Sequence, residues 1–190
     1  MQSAAGTVWT GHDVHFYESD ELLASVVGQF LAEGVRAGQP IVMIATPTHL
    51  EQIVARMRVL GADPDELVRG RDVVMLDARD TLAAFMEGNV PNHDLFEATA
   101  ANVLEKLVAH RSNVVIRAYG EMVDVLWRQG MAEAAITLEE MWDGLAKRFS
   151  LSILCGYGDD VVRDSGGRIG IPHICAVHEH VLSFDDLPNG

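Results

Sequence analysis

In the stretch VVIRAYGEMVDVLW, residues 114–127, an arginine stands inside an apolar run that reads as a buried strand. Arg117 alternates with Ile116 and Ala118, and a buried guanidinium left without a carboxylate would cost several kcal/mol or more. Two readings of its chemistry stay open. In the first, Arg117 pairs with Asp77 at the end of an earlier strand, or with Glu121 just beyond its own strand, and the ion pair fixes a crossover. In the second, Arg117 is the polar anchor of a ligand pocket whose walls are Tyr119, Met122, Trp127 and Tyr157. The N-terminal HFYES poses the same choice: Phe16 belongs to the core, whereas His15 and Tyr17 either line a cleft at a sheet end or cap the first strand.

A second constellation is HICAVHEH, which carries His173, Cys175 and His178, with Cys155 available from a distant strand. These are soft ligands suited to zinc or haem. The favoured reading is plainer: Cys175 acts as a small apolar residue and the histidines lie near the surface. No cofactor is therefore expected, with zinc or haem as the alternative. Standard catalytic patterns are missing: there is no GxxxxGK[ST], no GxGxxG after a strand, no GxSxG and no HExxH. The chain reads as a non-enzyme.

The elements that must position these residues follow from periodicity. ELLASVVGQFLAEGVRAG has apolar residues at helical spacing and stops at Gly38. PIVMIA is a short continuous apolar run and so a strand buried on both faces. It feeds TPTHLEQIVARMRVLG, a helix with Thr46 as N-cap and Pro47 at its first position. DVVMLDA (72–78), NVVIRAYG (113–120) and LSILCGYG (151–158) are further strands, and TLAAFMEG, LFEATAANVLEKLVAHR and MAEAAITLEEMWDGLAKRF are helices. Strands alternating with helices predict an α/β fold of three layers: a mainly parallel sheet with helices on both faces and right-handed crossovers. Ligands in such sheets bind beyond the carboxyl ends of the strands, here Thr46, Asp77, Tyr119 to Glu121 and Cys155 to Tyr157.

The 190 residues suit a single domain, 1–190. A formal net charge of −14 repels phosphate backbones and anionic lipids, which argues against direct nucleic-acid binding and membrane-surface attachment. The N-terminus has no secretory pattern, no run approaches a membrane span, and two cysteines do not make a disulfide framework, so a cytoplasmic setting is expected.

Taken in order, HFYESDELLASVVGQFLAEGVRAGQPIVMIATPTHL, LDARDTLAAFMEGNVPNHDLFE, IRAYGEMVDVLWRQGMAEAAITLEEMWDGL and ILCGY resemble the MEDS domain, the sensory domain named for methanogens, methylotrophs and the regulator DcmR. The resemblance covers about residues 12–160, leaving 161–190 as a C-terminal extension. It implies a RecA-like or KaiC-like fold without the nucleotide-binding loop, ATPTHL standing where that loop would be. It further implies a sensory role, with small hydrocarbon derivatives as ligands, and output through a histidine kinase or a transcription regulator. With no output segment in this chain, occupancy would be relayed to a signalling partner, through homodimerisation, or by sequestering the ligand. The expected function is a non-enzymatic sensory domain that binds a small organic molecule, using Arg117, Glu121, Asp77, Tyr119, Tyr157, Tyr17 and His15. The alternatives are a metal or haem protein built on His173, Cys175 and His178, and a degenerate KaiC-like nucleotide binder.

Overall fold

The computed structural model describes residues 11–64, 72–109, 111, 113–160, 174–176 and 178–182. Its strands are β1 (Gly11–Tyr17), β2 (Ile41–Ala45), β3 (Val73–Asp77), the short β4 (Met86–Glu87) and β5 (Val90–Pro91), β6 (Ile116–Gly120), β7 (Leu151–Gly158) and β8 (His180–Leu182). Between them run α1 (Asp20–Arg36), α2 (Pro47–Val59), α3 (Ala78–Ala83), α4 (His93–Val108), α5 (Met122–Arg128) and α6 (Ala132–Phe149). Six strands form one parallel sheet in the order β3-β2-β6-β7-β1-β8, and β4 and β5 pair as a small antiparallel hairpin.

Two apolar clusters lie on opposite faces of this sheet. On one face Leu23, Val27, Phe30 and Leu31 of α1 and Ile53 and Met57 of α2 pack on Ile41, Met43, Tyr119 and Leu154. On the other, Phe96 and Leu104 of α4, Leu126 and Trp127 of α5, and Leu138 and Trp142 of α6 pack on Val42, Ile116, Ala118 and Ile153. Each fully buried Leu, Val or Phe contributes about 1.5–3 kcal/mol, so both faces are strongly held. The expected three-layer α/β architecture is the one observed.

Four differences from the sequence expectation have local causes. The first buried strand is β1, whose polar His12, Asp13 and His15 mask it in the sequence although all three are buried. Consequently the first strand-to-helix turn is Glu18-Ser19, which offers acid and no glycine, and not ATPTHL. β6 begins at Ile116 because Asn113 takes a left-handed conformation, φ 56°, in the turn before it. The helix expected over TLAAFMEG ends at Ala83, and the chain turns into the β4–β5 hairpin around Gly88, φ 63°. Finally, β8 docks on the sheet parallel to β1, with Asp13 opposite His180. No helix among the described residues is long and apolar enough to cross a membrane.

Candidate functional site

Beyond the carboxyl ends of β1, β2 and β6 lies a cleft of about 530 Å³, within the roughly 300–1,000 Å³ of small-molecule sites. Tyr17 ends β1, and Glu18, Ser19 and Asp20 lead into α1. Thr46 and His49 come from the start of α2, Glu121 follows β6, Asp124 and Arg128 lie on α5, and Arg79 and Asp160 complete the rim.

Glu121 organises the centre. It is 1 % exposed, and its Oε1 accepts from the Thr46 amide at 2.6 Å. Thr46 occupies the N-cap position as expected, but its own hydroxyl makes no capping bond. A carboxylate from the turn after β6 thus holds the N-cap amide of α2, where the positive end of the helix dipole favours it. Glu121 Oε2 accepts from the Tyr119 hydroxyl at 3.0 Å and lies 2.7 Å from His49 Nδ1. Gly156 of β7 permits this: a Cβ there would stand 2.7 Å from the Tyr119 hydroxyl. The other ring nitrogen, His49 Nε2, is 3.3 Å from Asp20 Oδ1. Burial would lower the His49 pKa, but the hydrogen bonds and charges of Glu121 and Asp20 outweigh it and raise the pKa above its ordinary value.

Asp124 forms the second half of the site. Although it sits in an apolar helix and is 4 % exposed, it accepts from Tyr17 at 3.2 Å, from the Gly158 amide at 2.9 Å and from Arg128 Nε at 2.7 Å. Arg128 also grips both oxygens of Asp160 at 3.0 Å. Burial and the Asp124 charge push the Tyr17 phenol well above its usual pKa, so Tyr17 stays a neutral donor.

The expected site residues divide sharply. Tyr17 and Glu121 line the cleft and Tyr119 supports Glu121 from beneath. Arg117 lies at the opposite end of β6, and neither Asp77 nor Glu121 is its partner. Its Nε donates to Gln39 at 2.9 Å, an Nη donates to the Phe30 carbonyl at 2.9 Å, and Glu33 stands at 3.9 Å. The guanidinium also lies 4.7 Å from the centre of the Phe30 ring. Burial lowers its pKa to about 10, with Glu33 and Asp13 opposing. Asp77 caps α3, accepting from the amides of Arg79 and Asp80. His15 is buried within β1 opposite Gly156. Tyr157 faces the other side of the sheet, where its hydroxyl donates to Glu139 at 2.8 Å. The aromatic walls expected around Arg117 do not enclose a ligand-sized space: the apolar cavity touching Tyr119 and Met122 measures about 10 Å³, room for one water.

That second face holds a buried cluster. His12 Nε2 is 3.1 Å from Glu139 Oε2 and 3.3 Å from Cys155 Sγ, and His178 Nε2 is 3.5 Å from the same carboxylate oxygen. Of the metal candidates read from sequence, Cys155 and His178 are therefore brought together, and His12 and Glu139 join them. Cys175 is half-buried and stands outside the group, while His173 lies outside the described residues.

The family model for MEDS, the methanogen/methylotroph, DcmR sensory domain, matches residues 11–179. The chain belongs to the MEDS family. No curated protein matches it. The matched span of the MEDS domain takes in β1 through β7, both halves of the cleft and His178, and it ends immediately before β8. His49, Asp124 and Arg128 escaped the sequence reading. Asp124 and Arg128 carried a signal, a charged pair four residues apart on an otherwise apolar helix.

Proposed function

We propose that this MEDS domain is a non-enzymatic sensor whose signal molecule binds in the cleft at the carboxyl edge of the sheet. The observation that carries the reading is the Glu121 carboxylate, buried at the cleft's base and tied at once to the N-terminus of α2, to Tyr119 and to His49. A ligand that competes for Glu121 or His49 would alter the capping of α2, and this gives occupancy a route to a helix that a partner can read.

The lining also favours a ligand class. Five carboxylates, Glu18, Asp20, Glu121, Asp124 and Asp160, face two guanidiniums, Arg79 and Arg128, and Arg128 is already committed to Asp124 and Asp160. Such a site suits a small amine or hydroxyl-bearing molecule and opposes phosphates. Ser19 caps the start of α1, and the Glu121 carboxylate already holds the N-cap amide of α2, so a phosphate at α2 would meet a negative charge, which weighs against the nucleotide reading. Output through a histidine kinase or transcription regulator, in the cytoplasm, completes the proposal.

Native mass spectrometry of untagged protein, with identification of whatever denaturation releases, tests this. A released small organic amine or alcohol, lost from Glu121→Gln, is the expected result. A nucleotide released in its place would overturn it.

A further inference from the structure

The buried cluster on the α6 face is independent of the cleft. We propose that His12, Glu139, Cys155 and His178 form a binding site for one zinc-class divalent cation. Their four ligating atoms lie within 4.8 Å of one another and all four residues are buried. Four ligands at the bond lengths zinc takes to nitrogen, oxygen and sulfur form a tetrahedron with edges of roughly 3.3–3.8 Å. The contacts of 3.1, 3.3 and 3.5 Å that His12, Cys155 and His178 make around Glu139 Oε2 are already near those edges.

Two of the four residues, His178 and Glu139, have outer partners of the kind that orient metal ligands. His178 Nδ1 lies 2.6 Å from the Ile174 carbonyl, which can only accept, so Nδ1 carries a proton and Nε2 is the ring nitrogen turned toward Glu139 and Cys155. That Nε2 is shut off from solvent and stands 3.5 Å from Glu139 Oε2, at the edge of hydrogen-bond reach. Tyr157 donates to Glu139 Oε1, which fixes the carboxylate and leaves Oε2 for the ion. Two nitrogens, one sulfur and one oxygen make a borderline-soft set, matched to zinc and poorly matched to magnesium or calcium. On binding, the cation accepts lone pairs from His12 Nε2, His178 Nε2, Glu139 Oε2 and the Cys155 sulfur, and the Cys155 thiol proton leaves to solvent.

Four protein ligands make a closed, structural site with no position for substrate. The ion would join β1, β7 and α6 to the segment that leads into β8, fastening the C-terminal strand to the sheet.

The test is titration of chelator-treated, untagged full chain with cobalt(II), followed by displacement with zinc. The expected result is one cobalt per chain with the intense visible bands of a tetrahedral site and a thiolate-to-cobalt charge-transfer band. Cys155→Ser should abolish that band and weaken binding at least tenfold, whereas Cys175→Ser should leave both unchanged. A folded wild type that binds no cobalt, or a charge-transfer band lost in Cys175→Ser and kept in Cys155→Ser, overturns the proposal. The wild-type spectrum decides even if Glu139→Gln or His12→Gln fails to fold. The cleft is untouched by either outcome.

Discussion

At the scale of single residues, Arg117 shows how a buried charge is accommodated without a ligand. Its guanidinium is shared among a carbonyl, an amide oxygen, a carboxylate and an aromatic face, all from α1 and the turn that follows it. Gly34 makes this geometry accessible: a Cβ there would stand 2.9 Å from the Arg117 side-chain carbons. Arg117→Met should therefore destabilise the protein by about 1–3 kcal/mol through the lost buried hydrogen bonds, and leave cleft binding unchanged. Denaturant unfolding and a ligand titration on the same preparation check both halves. The sequence showed that Arg117 needed a partner, but Glu33 and Gln39 read as ordinary helix and turn residues. Glu139 was hidden for the same reason. In LEEMW it looks like a solvated helix face, and only the packing of α6 on β1 and β7 buries it.

At the scale of elements, the strands were legible wherever apolar residues run without interruption, as in IVMIA and LSILCGYG. β1 was harder because its buried His12, Asp13 and His15 read as polar surface residues, and the partners of His12 and Asp13 lie far along the chain. The cleft was half legible: Tyr17 and Glu121 follow strands directly, whereas His49 and Asp124 meet them only once the strand order is known. His49 illustrates the coupling, since one ring ties the start of α2 to α1 and to the residue after β6. Its pKa is raised in the folded state, so the stability it adds is fully present below its unfolded pKa of about 6.5 and is lost as pH rises through the folded value. Melting temperatures across that window should fall more steeply with rising pH in the wild type than in His49→Gln. Parallel curves would remove His49 from the account.

At the scale of the whole molecule, a strong negative charge and an acidic cleft act in the same direction. Both concentrate cations and repel phosphates, so under the proposed function ligand selection begins before contact. The MEDS assignment points to a sensory role, and the sheet indicates where the proposed signal would bind: ligands collect beyond the carboxyl ends of parallel strands, where the helix starts converge. The partition of the molecule is equally clear. One face carries the α1–α2 layer whose helix starts border the cleft, and the opposite face carries the His12–Glu139–Cys155–His178 cluster, whose His178 lies two residues before β8.

The central claim is that the cleft around Glu121 selects small organic amines or alcohols and rejects nucleotides. Thermal melting of the purified chain with millimolar short-chain ammonium compounds, polyols, ATP and GDP, in parallel with Glu121→Gln, tests it most directly. A ligand at about a hundredfold its Kd stabilises by about 2.7 kcal/mol, which is roughly 5–10 °C for a chain of this size. The account predicts such a rise with a member of the ammonium or polyol series, absent in Glu121→Gln and absent with either nucleotide. A rise with ATP or GDP, or an ammonium or polyol effect that survives Glu121→Gln, would contradict it.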